Sequence, residues 1–386
     1  MALDTETLDL LLESVRRFVA ERLVPHESEV DVDNRVPPQL VDEMRALGLF
    51  GLSIAEEFGG LGLSMEEEVR VTFELGQTSP AFRSIVGTNN GIGSQAIVIA
   101  GTEDQKKRYL PRLSSGEIIG SFALTEPDAG SDALSIRTSA QRDGDHYVLN
   151  GTKRYITNAP AAGLFTVMAR TQAERGADSI SCFLVEAGTP GLSLGVPDRK
   201  MGHAGSLTCD VIFDNCRVPE SALLGGVEGN GFRTAMKVLD KGRLNIAAVC
   251  VGIAERLIRE AVKFAIERKQ FGQRIADFQL VQAMIADSRA ESYAARCMVL
   301  EAARSRDRQV KITVEAACCK MFASEMVGRV ADRVVQIFGG AGYMSDYPVE
   351  RFYRDVRLFR IFEGTTQILQ LLIARETIKS LSGVER

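Results

Sequence analysis

The stretch Phe122-Ala-Leu-Thr-Glu-Pro-Asp-Ala-Gly-Ser-Asp132 marks the point where the pattern of the sequence changes. It starts like a β-strand and runs into a turn crowded with small hydroxyl and glycine residues. Such a turn can present backbone N–H groups and hydroxyls to a polar ring edge or a phosphate, although an ordinary capped turn has the same composition. Helical periodicity precedes the stretch and β-rich segments follow it, so it predicts a domain boundary near residue 121.

The segment before this boundary, residues 1–120, predicts an N-terminal α-helical domain. Its apolar residues recur at helical spacing, for example at Leu11, Val15 and Phe18. Pro37-Pro38 is typical of a helix start, and Thr102-Glu-Asp-Gln105 matches a capping box ahead of another helix.

Residues 121–228 predict a central β domain, because short β-rich runs alternate there with Gly and Pro. These runs are HYVLNG, LFTVMAR, SISCFLVE and TCDVIFDN. Helical periodicity returns in residues 229–386, with long apolar stripes around 229–267, 278–306 and 310–337 that predict an antiparallel bundle. The predicted fold class is mainly α with a central β domain.

Composition excludes several classes of function. The chain has 386 residues, 46 basic against 51 acidic side chains and a net charge of −5, so it lacks the basic surface that nucleic acid or an anionic membrane requires. No apolar run approaches the roughly 18 residues that span a bilayer, and the acidic N-terminus does not resemble a signal peptide, so we expect a cytoplasmic protein.

Cysteine and histidine are too sparse for most metal or hydrolytic sites. The seven cysteines form no C-x-x-C pair and are expected to be buried thiols, and the three histidines are scattered, so we expect no metal. No G-x-S-x-G motif is present. If the protein is an enzyme, its base is expected to be a carboxylate.

Several short motifs are compatible with either ligand binding or structure. Gly91-Ile-Gly-Ser-Gln-Ala96 matches a nucleotide-binding loop, but it lies in a helical domain, where tight helix packing explains it better. Tyr155-Ile-Thr157 is a strand end or a second ligand contact. Glu267 to Gly272 carries two cations that suit a helix C-terminus, with Gly272 as its cap. The glycines of Gln336 to Gly342 allow close approach of another chain or a ligand.

Glu363 stands just before a predicted helix, between Ile361-Phe362 and Gly364-Thr365-Thr366. It is either a solvated acid at a helix N-terminus or a general base in an apolar pocket. Burial would raise the pKa of such a base, and neighbouring N–H groups could hold a substrate carbonyl.

Taken together, these segments resemble the acyl-CoA dehydrogenase family over nearly the whole chain. The shared motifs occur in the family's order: FALTEPDAGSD, YIT, LDKGR, ERKQFG followed by FQ, QIFGGAGY and YRDVRLFRIFEGTTQ. The resemblance implies an N-terminal helical domain, a β-barrel-like middle domain and a C-terminal four-helix bundle. It also implies FAD bound between the domains and partly across a subunit interface.

The resemblance further implies which residues contact FAD and the acyl-CoA. FAD would be held by Phe122, Leu124, Thr125, Ser131, Tyr155, Ile156, Thr157, Arg268, Phe271, Gln279, Gln336, Gly339, Gly340, Thr365 and Gln367. The acyl-CoA would contact Ser131, Asp240, Arg243 and Gly364.

The implied reaction is dehydrogenation of a fatty acyl-CoA to the trans-2-enoyl-CoA. Glu363 would remove the α-proton while the β-hydrogen leaves as hydride to flavin N5. The Glu363 N–H and the flavin ribityl chain would polarise the thioester carbonyl. The implied partner is electron-transferring flavoprotein, the implied assembly is a homotetramer built as a dimer of dimers, and the implied pathway is fatty acid β-oxidation.

Three positions refine this expectation. Some branched-chain members carry their base where this chain has Gly242, which cannot serve, so Glu363 is the expected base. Tyr155 stands where tryptophan is frequent and still offers an aromatic face. His203-Ala204 occupies a loop position where arginine is common, and the sequence assigns it no role.

Two alternative functions remain open, and so do the length and branching of the acyl chain. An oxidase or monooxygenase on the same fold would differ in oxygen reactivity, and a flavin or acyl-CoA binding protein would lack turnover. The acyl chain is expected to run past Asn89 to Gln95, where Gly91, Gly93 and Ser94 leave space and Gln95 could close it. Short to medium chains, straight or modestly branched, are the expected substrates.

Overall fold

The computed structural model of the chain describes residues 3–173 and 176–382. Its N-terminal part is helical, as predicted. The helices are α1 Thr5–Phe18, α2 Glu27–Asp33, α3 Pro38–Ala46, α4 Met65–Leu75, α5 Pro80–Thr88, α6 Gln95–Ala100 and α7 Glu103–Ser114. The start of α3 at Pro38 is confirmed, and both hydrogen bonds of the predicted Thr102–Gln105 capping box are present.

The middle part is a seven-stranded sheet. Its strands are β1 Gly120–Ala123, β2 Ser139–Asp143, β3 His146–Thr157, β4 Leu164–Arg170, β5 Ile180–Glu186, β6 Leu192–Leu194 and β7 Thr208–Pro219. The strand order is β1-β4-β2-β3-β7-β6, and β5 pairs with β4. The long strands β3 and β7 pair antiparallel with two register shifts, and the sheet curls around its own apolar core.

The C-terminal part is a helical bundle. Its elements are α8 Gly231–Glu267, the short strands β8 Lys269–Gln270 and β9 Gln273–Arg274, α9 Gln279–Asp307, α10 Thr313–Phe338, α11 Pro348–Val356 and α12 Thr366–Ser382. The three predicted long helices are confirmed to within a few residues. The mainly α fold with a central β domain is therefore confirmed.

Helix α4 packs against α8 at a very short distance, which joins the first and last parts of the chain. A Cβ placed on Gly252 would lie 2.3 Å from the Phe73 carbonyl oxygen, so a larger residue would push the two backbones apart. This contact fixes α8, and with it the segment 240–245, relative to the N-terminal helices.

Two expectations of the sequence need correction. Gly272 is not a helix cap, because α8 ends at Glu267 and Gly272 turns the β8–β9 hairpin with φ +81°. The cysteines are not all buried, since Cys297 is exposed and Cys318 is half-buried. In the described part of the chain, no helix combines the length and the apolar character that a membrane span requires.

Candidate active site

Glu363 lies in the turn between α11 and α12, and its backbone has an unusual conformation. Its φ is +51°, and Gly364 follows with φ +95°. Thr365 then caps α12, because its hydroxyl accepts a hydrogen bond from the Ile368 N–H at 3.2 Å. A non-glycine residue at positive φ is uncommon and marks a position that its surroundings hold in place.

The Glu363 carboxylate points into the protein rather than into solvent. Its Oε2 atom is fully buried and has no hydrogen-bond partner among the described residues. Burial raises the pKa of this carboxyl group, while the charges of Arg83, Lys320 and Arg243 lower it. The buried oxygen and the raised pKa argue against the alternative of a solvated acid at a helix N-terminus.

Gly242 of α8 forms the wall against which this carboxylate rests. A Cβ at Gly242 would lie 2.2 Å from Glu363 Oε2 and 3.2 Å from Ile92 Cγ2. The missing side chain thus provides the space that the carboxylate fills. Gly242 and Glu363, the two positions at which a base was considered from the sequence, therefore lie next to each other in the structure.

The residues predicted to contact the acyl-CoA are partly brought together here. Arg243 pairs with Asp240 at 2.8 Å, and Asp240 also accepts a hydrogen bond from the Thr313 hydroxyl at 2.8 Å. One terminal nitrogen of Arg243 would lie 3.9 Å from a Cβ at Gly364. Ser131 is exposed in the turn after β1.

Lys320 is a site residue that the sequence did not reveal. It is fully buried in α10 and donates a hydrogen bond to the Gly364 carbonyl oxygen at 2.6 Å. Burial lowers its pKa to about 8, and the Glu363 charge counteracts that shift. The sequence feature that could have identified Lys320 is the presence of a lysine within the apolar face of a predicted helix.

His203, whose role the sequence left open, supports the turn that carries Glu363. The backbone N–H of His203 donates a hydrogen bond to the Asp355 carboxylate. The His203 ring packs against the rings of Phe359 and Phe362, at centroid distances of 5.3 and 6.3 Å. Burial lowers the pKa of His203 to about 4 and raises that of Asp355 to about 7. His203 is therefore neutral at neutral pH and holds the turn by packing and hydrogen bonds.

The two segments predicted to hold the flavin ring lie side by side. The Arg154 N–H donates to the Thr125 carbonyl oxygen at 2.8 Å, and the Ser121 hydroxyl donates to the Thr157 carbonyl oxygen at 2.8 Å. Leu124 and Ile156 are buried, whereas the Tyr155 side chain is 60% exposed. Half-buried Phe122, Thr125 and Thr157 complete this surface.

The residues predicted to hold the rest of FAD form a second cluster. The stacked rings of Phe264 and Phe338, 4.1 Å apart, bring the end of α8 beside the end of α10. Exposed side chains and glycines surround this junction: Arg268, Phe271, Gln279, Gln336, Gly339 and Gly340. Phe271 is 94% exposed, and Gln367 is exposed at the start of α12.

These surfaces fit FAD. An exposed aromatic ring and free hydroxyls lie beside a strand end, and glycines next to a cation suit a pyrophosphate.

Gly91 to Ala96 is not part of a nucleotide loop. A Cβ at Gly93 would lie 2.7 Å from the Gly120 carbonyl oxygen, which confirms tight packing. Gly93 therefore leaves no space for an acyl chain, contrary to expectation, and Gln95 is held by the Ser53 hydroxyl at 3.1 Å.

Comparisons with known proteins agree with this architecture. Three family descriptions match the chain in order: acyl-CoA dehydrogenase, N-terminal domain, at residues 5–117, middle domain at 121–216, and C-terminal domain at 229–378. An acryloyl-CoA reductase (NADH) of Anaerotignum propionicum is 43% identical over 97% of this chain and 95% of its own length. An acyl-CoA dehydrogenase of Bacillus subtilis is 40% identical, with 96% and 98% covered.

One further relative is described as part of an Etf complex, and another was solved with FAD. The CarC subunit of a caffeyl-CoA reductase–Etf complex from Acetobacterium woodii is 38% identical, covering 96% of this chain and 98% of its own. The structure of butyryl-CoA dehydrogenase from Megasphaera elsdenii superposes with a TM-score of 0.94 at 35% identity, with 98% and 100% covered. A Bacillus anthracis acyl-CoA dehydrogenase complexed with FAD superposes with a TM-score of 0.92 at 34% identity, with 99% and 68% covered.

Proposed function

Because the chain belongs to the acyl-CoA dehydrogenase family, whose members are FAD-dependent oxidoreductases, we propose that it dehydrogenates an acyl-CoA with Glu363 as the base. The observation that carries this proposal is the buried Oε2 of Glu363, which rests against Gly242 without a hydrogen-bond partner. An unpartnered buried carboxylate is costly to keep, so its retention fits a group that takes up a proton.

The α C–H of a thioester is a weak acid, so the site must stabilise the charge that develops on the carbonyl oxygen. The Glu363 N–H has no hydrogen-bond partner in the described part of the chain and is available to donate to that oxygen. Burial brings the pKa of Glu363 closer to neutral, which suits a base that must accept the proton. The chemistry that bound FAD would supply is that of an acceptor for the hydride leaving the β-carbon.

We also propose an electron acceptor for the enzyme, a binding site for FAD and an assembly of its subunits. We infer that electron-transferring flavoprotein receives them, since a relative at 38% identity is a subunit of an Etf complex. The residues named above would hold FAD, with its far end carried by the cluster at the ends of α8 and α10. A homotetramer would bring that cluster to a neighbouring subunit. The three units 1–120, 121–228 and 229–386 remain our proposed domains.

Reduction of an enoyl-CoA is a second candidate, because a relative at 43% identity is an acryloyl-CoA reductase. The same carboxylate, once protonated, can return a proton to the α-carbon. Anaerobic mixing of the dithionite-reduced enzyme with enoyl-CoAs tests this direction through reoxidation of the flavin. Rapid reoxidation by oxygen, and slow reoxidation by electron-transferring flavoprotein, would instead indicate an oxidase.

The test of dehydrogenation is an anaerobic titration of the FAD-loaded protein with acyl-CoAs. The panel runs from butyryl-CoA to palmitoyl-CoA, with isobutyryl-, isovaleryl- and glutaryl-CoA. Bleaching of the visible flavin band by one class supports the proposal and identifies the substrate class. If no thioester bleaches the flavin of a fully loaded protein, the proposal fails and a binding function takes its place.

A further inference from the structure

The turn that carries Glu363 has a backbone conformation that must be supported from outside. Glu363 and Gly364 both have positive φ, at +51° and +95°. For a residue with a side chain this conformation costs free energy, and it persists only where the surroundings hold it. The Oε2 atom of Glu363 has no hydrogen-bond partner among the described residues, so no such bond fixes its direction. The place of the carboxylate therefore depends on how the backbone on either side of it is held.

Helix α10 holds this turn at three places. Lys320 donates a hydrogen bond to the carbonyl oxygen of Gly364 at 2.6 Å, directly after the base. Further along α10, Glu325 Oε1 accepts a hydrogen bond from the Thr366 hydroxyl at 2.8 Å. Its other oxygen, Oε2, pairs with Arg360 Nε at 3.2 Å. A single carboxylate thus joins the residue three positions before the base to the residue three positions after it.

Gly328, about one helical turn after Glu325, provides the space in which Arg360 lies. A Cβ at Gly328 would overlap the Nη2 atom of Arg360 and would lie 2.8 Å from its Cζ atom. The guanidinium therefore lies directly on the backbone of α10, and any side chain at this position would push it away. Arg360 and Glu325 are both half-buried, so water and salt screen their attraction less than that of a fully exposed pair.

We propose that Glu325 is a positioning residue for the reaction, because it holds Arg360 and Thr366 on α10. Through these two contacts it sets the place of the Glu363 carboxylate beside Gly242. The inference rests on the proposed function and adds a residue to it. The carboxylate fits into the space that Gly242 leaves free, so a small displacement of the turn redirects it. A displacement of about 1 Å can cost roughly a hundredfold in rate.

The rival explanation is that Glu325 contributes to stability alone. Thr366 is the first residue of α12, and a carboxylate near a helix N-terminus is favourable without any role in catalysis. In that case any effect of losing Glu325 on the rate is the same whether or not Glu363 can act as a base. Positioning instead predicts an effect that disappears once the base is removed.

The experiment measures anaerobic flavin reduction by stopped flow in FAD-loaded wild type, Glu325→Ala, Glu325→Gln and Gly328→Ala. It uses the thioester that reduces the wild-type flavin fastest. Glu325→Ala should lower the limiting rate roughly tenfold to a hundredfold, while the thioester concentration that gives half of that rate stays the same. Glu325→Gln should recover most of the rate, because its amide oxygen can still accept from the Thr366 hydroxyl. Gly328→Ala should slow the reaction, because it displaces the guanidinium and leaves every charge in place.

Glu291→Ala is the matched control. Glu291 of α9 is also half-buried and also has two partners, since it pairs with Arg329 and Arg333 of α10 at 2.9 and 2.8 Å. Its contacts join α10 to α9 instead of to the turn, so the control should reduce its flavin at the wild-type rate. Melting temperatures of the two alanine variants show whether their losses of stability are comparable. A wild-type rate in Glu325→Ala, or an equal loss of rate in the control, overturns the inference.

A double variant gives the readout that a merely structural role would not produce. Because Glu325 acts through the base, Glu363→Gln with Glu325→Ala should reduce its flavin as slowly as Glu363→Gln alone. Losses that multiply instead would overturn the inference, while the slow reaction of Glu363→Gln alone leaves the proposed function standing. If no thioester reduces the wild-type flavin, the proposed function falls and the inference falls with it.

Discussion

At the scale of single residues, the site depends on the absence of a side chain at Gly242. The sequence identified Glu363 as an acid next to an apolar pair, but it could not show that the carboxylate fills the space left by a glycine 121 positions earlier in the sequence. Arg83 and Lys320 were missed for a similar reason. A lone charge in an apolar helical stripe does not reveal which interior group it faces.

Gly242→Ala should impair the reaction without weakening the fold. The new Cβ would lie 2.2 Å from Glu363 Oε2, so the carboxylate must move away from the substrate. A misplacement of about 1 Å can cost roughly a hundredfold in rate, and we expect a loss of flavin reduction of that order. Alanine is the better helix former, so an unchanged or higher melting temperature is expected alongside. A rate equal to wild type would contradict this role of Gly242.

Lys320→Met should shift the pH dependence of flavin reduction upward. The base must be ionised to act, so the rate rises with pH through the pKa of Glu363. Lys320 stabilises the carboxylate charge, so its removal should raise that pKa. Stopped-flow reduction across pH measures the shift, with Lys379→Met on the exposed face of α12 as the control. A profile that moves equally in both variants would exclude this electrostatic role.

At the scale of elements, the turn between α11 and α12 is the part that sequence could least predict. The helix after Glu363 was expected, and α12 does begin at Thr366. The positive φ of Glu363 and the support from His203 could not be expected from the sequence. The support comes from a loop of the β domain some 150 residues away in the sequence. Local propensity fixes helices and strands well, but it contains no information about such distant contacts.

The His203–Asp355 contact predicts a specific pH dependence of stability. Burial raises the pKa of Asp355 from 3.8 to about 7, so its contribution to the unfolding free energy falls as pH rises through that range. Burial lowers the pKa of His203 from 6.5 to about 4, so its contribution rises with pH over nearly the same range. The two effects oppose each other in the wild type. Arg351, Arg354, Lys200 and Asp31 also face this pair.

Asp355→Asn should reveal the histidine effect alone. Asparagine keeps an oxygen that can accept from the His203 N–H, so the contact survives while the titration is lost. Because the opposing titration of Asp355 is lost, the variant should gain on the order of 2 kcal/mol in unfolding free energy relative to wild type between pH 4 and pH 6.5. Urea unfolding of both proteins at several pH values measures this difference. A difference that stays constant with pH would show that the two groups are not coupled to folding in this way.

At the scale of the whole molecule, Glu27 ties the first helices to the C-terminal bundle. Its carboxylate pairs with Arg351 of α11 at 2.9 Å and with Arg256 of α8 at 3.4 Å. It also accepts hydrogen bonds from the Thr78 hydroxyl and the Ser79 N–H. The order helix, sheet, helix was readable from periodicity, but this connection was not, since Glu27 resembles any surface acid in the sequence.

Glu27→Ala should destabilise the protein by about 3 kcal/mol, because it leaves buried Arg351 without its carboxylate partner. Glu43→Ala is the matched control, since Glu43 pairs with Arg22 on the surface at 2.7 Å. The control should cost less than about 1 kcal/mol. Urea unfolding midpoints of the two FAD-loaded variants measure the contrast. Equal losses would mean that the buried pair contributes no more than the exposed one.

The central claim is that Glu363 removes the α-proton of an acyl-CoA, and rapid anaerobic mixing of the FAD-loaded Glu363→Gln variant with the best thioester of the panel tests it most directly. Glutamine retains the shape and the backbone N–H of this position but cannot accept the proton. The account predicts that the thioester still binds while flavin reduction slows by several orders of magnitude compared with wild type. Flavin reduction at the wild-type rate in this variant would contradict it.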